Sequence, residues 1–511
     1  AQDAADAALE AVSKIAFTIN AVPTQNGVLT YNGQAQSPSW NSYDPNAMTL
    51  GGVTTGTDAG TYTATFTPKE KYQWSDGTKT AKQVTWKIDR ASVAAPTQSG
   101  SLTFNGSQQS PSWSGYDTGK MTLGGTTTGT NAGSYNATFT PGANYKWSDG
   151  STGAKTVVWR IGKAAGSLSL NKTSMKLTAA KKTDTITVTR AGDGVITATS
   201  NASGVASVSV SGNTVTVTAN AKGKATITVS VAAGTNHNAP ANKTCSVEVT
   251  MPTKNLSENS WATIREVSSA GLGANYWAVG DMKEITINGT VGNHTFNNLK
   301  INAFILGFNH NASKEGNNLI HFQIGKMGTT AVALCDSQYN SSGSSAGFRM
   351  NTSNTNSGGW NGSYMRKTLL GNTGTPTSPI SNSMMAALPS DLRAVMQSVT
   401  KYTDNTGGGS DNASYVTATK DYLFLLAEFE AFGTRYGANS AEQNYQLQYD
   451  YYKAGNSRVA YNHSAVSAAV WWWLRSPYCY SSNYFRTVDT DGGGNGYHAY
   501  YSAGVRPGFT V

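Results

Sequence analysis

The chain has 511 residues, 38% of them hydrophobic and 10% aromatic, with only 13% charged. So many rings and so few charges exclude a disordered chain, and the lack of any run of about 18 apolar residues excludes a membrane-spanning helix. The net charge of +9 is spread out: 7 basic against 8 acidic groups over 1–90, 5 against 2 over 91–165, 8 against 3 over 166–251 and 18 against 16 over 252–511. A nucleic-acid binder would gather Lys and Arg on one face or helix. Here they are scattered through Thr-rich segments, so no nucleic-acid partner is expected.

Residues 1–20 place Ala5, Leu9, Val12 and Ala16 at 4-3-4 spacing among Ala, Asp, Glu and Lys. This predicts a short amphipathic helix, marginal alone in water. We read it as an attachment stem with an oligomeric seam, against the alternative of a helix docked on the first module.

Residues 21–164 hold an internal repeat. Pro23, Trp40, Tyr62, Trp74 and Trp86 recur 73 residues later as Pro96, Trp113, Tyr135, Trp147 and Trp159. Asp58-Ala59-Gly60 before Tyr62 matches Asn131-Ala132-Gly133 before Tyr135. Alternation in 62–66 and 84–88 predicts short half-buried strands, and Asn32-Gly33 predicts a hairpin turn. Modules at 21–90 and 91–164 follow, each a small β-sandwich. Their tryptophans repeat with the strands and so are assigned to the cores. Residues 165–251 alternate again, notably over 185–188, 214–218 and 225–229, and predict a third sandwich ending near Pro252.

Residues 252–511 contain many short strands and few helices. Ser390 is placed to cap a helix carrying Leu392, Val395 and Met396. The last forty residues open on the apolar Trp471-Trp472-Trp473-Leu474 and close on Val505–Phe509, and are expected to pack together. Between them lie Tyr478, Tyr480, Ser482, Asn483, Tyr484, Arg486, Asp489, Asp491, Asn495, Tyr497, His498, Tyr500 and Tyr501. Only Phe485, Val488 and Ala499 are plainly apolar between Cys479 and Ala503. Burying the rest would strand hydroxyls and carboxylates at about 1–3 kcal/mol each, so these residues are expected to face outward on one surface. Tyr with Ser, Gly and Asn is the composition of antibody paratopes. The competing reading is a Tyr-rich pair of edge strands with glycine loops.

Three resemblances follow from these residues. The 73-residue copies resemble the MBG-like Ig-type modules of bacterial and phage surface proteins. Residues 165–251, with the Gly223 turn before Ala225–Val229, resemble a group 2 bacterial Ig-like module. Trp472-Trp473-Leu474-Arg475-Ser476-Pro477 with the terminal Gly504-Val505-Arg506-Pro507-Gly508-Phe509 resembles a C-terminal domain of C-type-lectin-like fold. That domain is similar to the binding heads diversified by retroelements, whose adenine-directed mutagenesis yields Tyr, Ser, Asp, His, Gly and Asn. The resemblance implies that the thirteen residues from Tyr478 to Tyr501 named above bind a ligand.

No catalytic constellation emerges. The six histidines lack ligand spacing, and there is no His-Glu-x-x-His, CxxC pair or phosphate-binding glycine loop. The Asp489–Asn495 run echoes a calcium loop but lacks the closing Glu of an EF-hand; it is read as a glycine-rich turn. Cys245, Cys335 and Cys479 make no disulfide framework. A Cys335–Cys479 bridge is one option and free thiols are the default. The expectation is a mainly β multidomain chain: an N-terminal helix, three Ig-like sandwiches in tandem and an α+β C-type-lectin-like head. It has no cofactor, no metal and no enzymatic activity. Its partners are a host cell-surface protein or glycan and, through the N-terminus, other virion proteins, in a homo-oligomer for which phage fibres suggest a trimer. The lack of a secretory signal and of a wall anchor is read as favouring a phage virion fibre over a bacterial surface or secreted adhesin. A decoration protein without a dedicated receptor is the structural alternative.

Overall fold

A computed structural model describes residues 1–13, 15–342 and 347–511, with the side chains of 11–13 outside the description. The chain is mainly β, with Ig-like sandwiches in tandem behind a short helix. That helix, Gln2–Ser13, is exposed over residues 1–10, and Leu9 keeps 75% of its surface in solvent. Of the predicted seam, Ala5 and Leu9 are exposed and Ala16 is half-buried, while the Val12 side chain lies outside the described residues.

The two 73-residue copies have the same topology. A four-stranded sheet runs Leu29–Thr30, Lys82–Asp89, Gly60–Pro68, Met48–Gly52 in the first, and Leu102–Thr103, Lys155–Gly162, Gly133–Pro141, Met121–Gly125 in the second. Alternation sets the inward face: Ala64 and Phe66 are fully buried between threonines, and Ala137 and Phe139 between Asn136, Thr138 and Thr140. Trp74, Trp86, Trp147 and Trp159 are buried core, each with its indole N–H satisfied as burial requires, while Trp40 and Trp113 are half-buried against Phe66 and Phe139. Trp86 Nε1 donates to the Val53 carbonyl at 2.8 Å, and Trp159 Nε1 to that of Thr126 at 2.7 Å, again 73 residues on.

The Asn32-Gly33 expectation is corrected. Leu29–Thr30 does not fold back on the next strand but pairs in parallel with Ile88–Asp89. Asn32 Oδ1 instead accepts from the Gln34 amide at 2.9 Å, an Asx turn inside a longer loop.

The third sandwich packs two four-stranded sheets, with strands from Ser167 to Thr250. Its Ile186, Val215, Val217, Ile227 and Val229 are fully buried. It meets the C-terminal region through apolar contact: Ala179 is buried in that region's core, and Met251 packs against both cores.

The C-terminal region is α+β. Its large sheet runs Met282–Val291, His294–Phe308, Ile320–Met327, Thr330–Ala333, Ala460–Asn462, Ala465–Val470. The last strand, Gly508–Thr510, slots between Ile320–Met327 and Leu423–Phe424. Ser390 is the first residue of the one-turn helix Ser390–Arg393, whose cap is Pro389, so it caps nothing. Cys245, Cys335 and Cys479 are buried free thiols, so the Cys335–Cys479 option is not realised.

Candidate functional site

The site is built on a three-stranded sheet of Trp472–Pro477, Tyr484–Val488 and Gly494–His498. Its first strand is framework. Trp472, Trp473 and Leu474 are fully buried, and the Trp473 amide donates to the Gly504 carbonyl at 2.9 Å. Val505 and Phe509 lie in the same core.

Arg475 sits in the same apolar strand at 0% exposure, its charge matched by Glu430 through contacts of 2.5 and 2.8 Å. Lys401 Nζ lies 3.0 Å from Glu430 and 2.8 Å from Glu315, and donates to the Tyr449 hydroxyl at 2.8 Å. Burial alone would raise the Glu430 carboxyl, but Arg475 and Lys401 hold it well below its usual range. Two cations and two carboxyl groups are thus buried together, Glu430 held ionised and Glu315 pushed up by burial to about 7, with their hydrogen bonds satisfied as burial demands. No spacing in the sequence announces this network, because Glu315, Lys401, Glu430 and Arg475 come from four separate segments.

The presentation surface stands on that framework. Tyr484 is opposite His498, and at the other end Val488 is opposite Gly494. An aromatic row crosses the open end of this hairpin. Tyr480 meets Tyr478 at 5.6 Å between ring centroids, Tyr478 meets Tyr484 at 6.2 Å, and Tyr484 meets His498 at 4.4 Å. His498 then meets Tyr501 at 5.2 Å, and Tyr501 meets Tyr500 at 4.9 Å. Tyr480 is 63% exposed, and Tyr478, Tyr484, His498, Tyr500 and Tyr501 are half-buried. Polar groups lie among the rings: Ser482 is exposed, Asn483 is half-buried, and Asn354 and the Tyr484 hydroxyl contact the two His498 nitrogens at 3.0 and 3.2 Å.

The structure separates the predicted residues into groups. Asp489, Asp491 and Asn495 lie at the turn end of the hairpin, about 13 Å of strand from the aromatic row. Their polar atoms close the turn. Asp489 accepts from the Thr490 amide and the Asn495 side chain, and Asp491 from the Gly493 amide at 2.8 Å. Tyr497 is opposite the buried Phe485, and its ring packs tilted on Trp471 at 4.6 Å while meeting the row edge-on at Tyr501, 5.1 Å away. The Tyr497 hydroxyl donates to Asn340. Arg486 does not face outward: it is 4% exposed, and its Nε donates to Glu428. It shares Tyr484's face of the strand but lies beneath the aromatic row, its guanidinium 5.0 Å from the centre of the Tyr478 ring. The single outward face expected from composition is therefore an aromatic row, a polar turn and two support residues.

Further supports lie far away in sequence. Asn356, fully buried, donates to the carbonyls of Tyr478, Ser481 and Tyr484 and so fixes the loop that carries Tyr480. Gly409 lets the backbone of Ser481 and Ser482 approach; a Cβ there would stand 2.9 Å from the Ser482 nitrogen. Glu428 accepts the amides of Tyr436, Gly437 and Ala438 besides Arg486. An Asn in a polar run and the last of three consecutive glycines carry no local signal of such roles.

Fold and site together define a multidomain protein that presents a tyrosine-rich surface behind tandem Ig-like modules. Residues 151–241 match the family described as bacterial Ig-like domain (group 2), and residues 336–511 match a domain of unknown function, DUF6273. No curated protein matches the chain. Among solved structures, it is similar to domains 4 and 5 of the S-layer protein SbsC at 19% identity, covering 30% of this chain and 98% of that one, TM-score 0.16. Fibronectin(III)-like modules of Clostridium thermocellum CbhA align at 14% identity, over 31% of this chain and 93% of that one, TM-score 0.15. Immunoglobulin domains 1–5 of Sidekick-1 align at 11% identity, over 45% and 58%, TM-score 0.19. These scores are too low to assign the whole chain to any of those architectures.

Proposed function

We propose that this is a receptor-binding protein displayed on a surface. The N-terminal helix attaches and oligomerises it, the sandwiches space it, and a lectin-like C-terminal head binds a protein or glycan on a bacterial cell. One observation carries the reading: five tyrosines and His498 form a continuous, partly exposed row held by buried supports. Tyrosine offers large contact area at small entropic cost, and it is enriched where binding energy concentrates. The resemblance of the C-terminal framework to diversified phage heads favours a virion fibre. The match to the bacterial Ig-like domain favours a second setting, the surface of a bacterial cell.

The test is a triple substitution of Tyr480, Tyr484 and Tyr500 to Ser in the full chain, assayed for adsorption to candidate host cells. Binding should be lost, while stability falls by less than about 1 kcal/mol because these rings are not fully buried. Tyr497 is left intact because it packs on Trp471. Normal adsorption by the folded triple variant would sink the reading.

A further inference from the structure

The joint between the first and second sandwiches reappears between the second and third, although the third belongs to a different module type. At the first joint, Asn144 Oδ1 accepts the Ala59 amide at 2.7 Å while its Nδ2 donates to Asp58 at 2.8 Å. At the second, Asn236 Oδ1 accepts the Ala132 amide at 2.8 Å while its Nδ2 donates to Asn131 at 3.1 Å. The ring after each asparagine completes the contact edge-on: Tyr145 against Tyr31 at 5.4 Å and His237 against Phe104 at 5.3 Å. The linker runs the same way, with the Ala91 amide on the Asn144 carbonyl at 3.0 Å and the Ala164 amide on that of Asn236 at 2.9 Å. Residues 31, 58, 59 and 91 correspond to 104, 131, 132 and 164 by the 73-residue repeat.

The receiving side is therefore a copied socket, Asp58-Ala59-Gly60 or Asn131-Ala132-Gly133. The inserted side is a short motif shared by unlike sandwiches: Gly142-Ala143-Asn144-Tyr145 and Gly234-Thr235-Asn236-His237. The first sandwich carries Lys71-Tyr72 at the corresponding place and has no such asparagine. We infer that Asx-Ala-Gly is a general docking surface for a following sandwich that presents a Gly-x-Asn-aromatic loop, so that modules are interchangeable and stalk length changes in whole-module steps. One side-chain amide used as both donor and acceptor, with one edge-on ring pair beside it, fixes the orientation of each joint.

The experiment is residue-resolved hydrogen exchange on the full chain and on a chain lacking residues 91–163, which joins Arg90 to Ala164. The Ala59 amide should stay protected in the shortened chain, because Asn236 replaces Asn144. In the full chain, Asn144→Ala should speed Ala59 exchange by about tenfold and leave Ala132 unchanged; Asn236→Ala should do the reverse. The core amides of Ala64 and Ala137 report folding and should not move. Asn236→Asp separates docking from general damage. In the full chain its carboxylate faces Asn131, whose amide can turn to donate, so Ala132 stays protected. In the shortened chain it faces the Asp58 carboxylate, so Ala59 protection is lost. If Ala59 in the unsubstituted shortened chain exchanges as fast as in the Asn144→Ala variant, the sockets are not interchangeable and the inference fails. Equal behaviour of Asn236→Asp in both chains would also overturn it.

Discussion

At the residue scale, charge burial and ring burial set the head's tolerance. Trp472 is fully buried, donates to the Arg458 carbonyl at 2.9 Å and lies 5.0 Å from the Arg506 guanidinium. Trp472→Ala should cost about 3–5 kcal/mol, measured by denaturant unfolding; an unchanged midpoint would mean the ring is not core. His463 gives the head a pH dependence. Burial, and then His294, hold its pKa at about 4, and its Nδ1 accepts the Cys335 amide at 3.1 Å. A histidine whose folded pKa lies below its unfolded value binds fewer protons folded than unfolded between the two. Its stability contribution is complete above about 6.5 and is lost as pH falls towards about 4. This contribution should lower the head's melting temperature over that window, against Glu315 and Glu442, whose carboxyls burial pushes up to about 7, and His463→Asn should remove it from the slope in a melting series against pH. An identical slope would assign the dependence to other groups, His310 first, whose burial holds it at about 3.

At the element scale, the N-terminal helix and the site hairpin pose opposite problems. The helix Gln2–Ser13 leaves Leu9 in solvent, and so short a helix gains little stability alone. In the proposed function a seam with other copies supplies the missing burial. Removing residues 1–13 should therefore lower the mass in light scattering to that of a monomer, and an unchanged mass would place the oligomer contacts elsewhere. The hairpin has the reverse character: its strands are anchored from below, and its exposed rings bear no fold. Arg486 shows why composition could not separate the two roles. It stands in a run of polar residues on the same strand face as Tyr484, yet the Tyr478 ring covers it, and Glu428 from a distant helix makes that burial tolerable. Glu428→Gln should cost about 3–5 kcal/mol by leaving a buried guanidinium uncompensated, again read by denaturant unfolding.

At the scale of the whole molecule, each sandwich and the head has its own apolar core. Unfolding should then proceed in parts rather than in one transition. Trp86→Ala should lower the melting step of the first sandwich alone, by about 3–5 kcal/mol, and leave the head's step in place under scanning calorimetry. A shift of every step together would show that the cores are coupled. The third sandwich is the exception to watch, since Ala179 and Met251 carry it into the head's core.

The sequence by itself determined the mainly β, tandem-sandwich class of the chain, because alternation of Thr with Ala, Phe and Trp is a local property of the pleat. It determined the equivalence of the two copies, because a constant offset of 73 brings every core ring and its hydrogen-bond acceptor along with it. It also marked Trp471–Leu474 as framework and the following tyrosines as candidates for display. Only the tertiary structure decided which of those candidates share a surface. Cross-strand pairing put Tyr484 beside His498 and turned Tyr497 towards Trp471. Buried charges from distant segments made room for Arg475 and Arg486 inside. The parallel pairing of Leu29–Thr30 with a strand nearly sixty residues away was equally hidden. In each case the deciding partner is remote in sequence, and no local pattern records the free energy of meeting it.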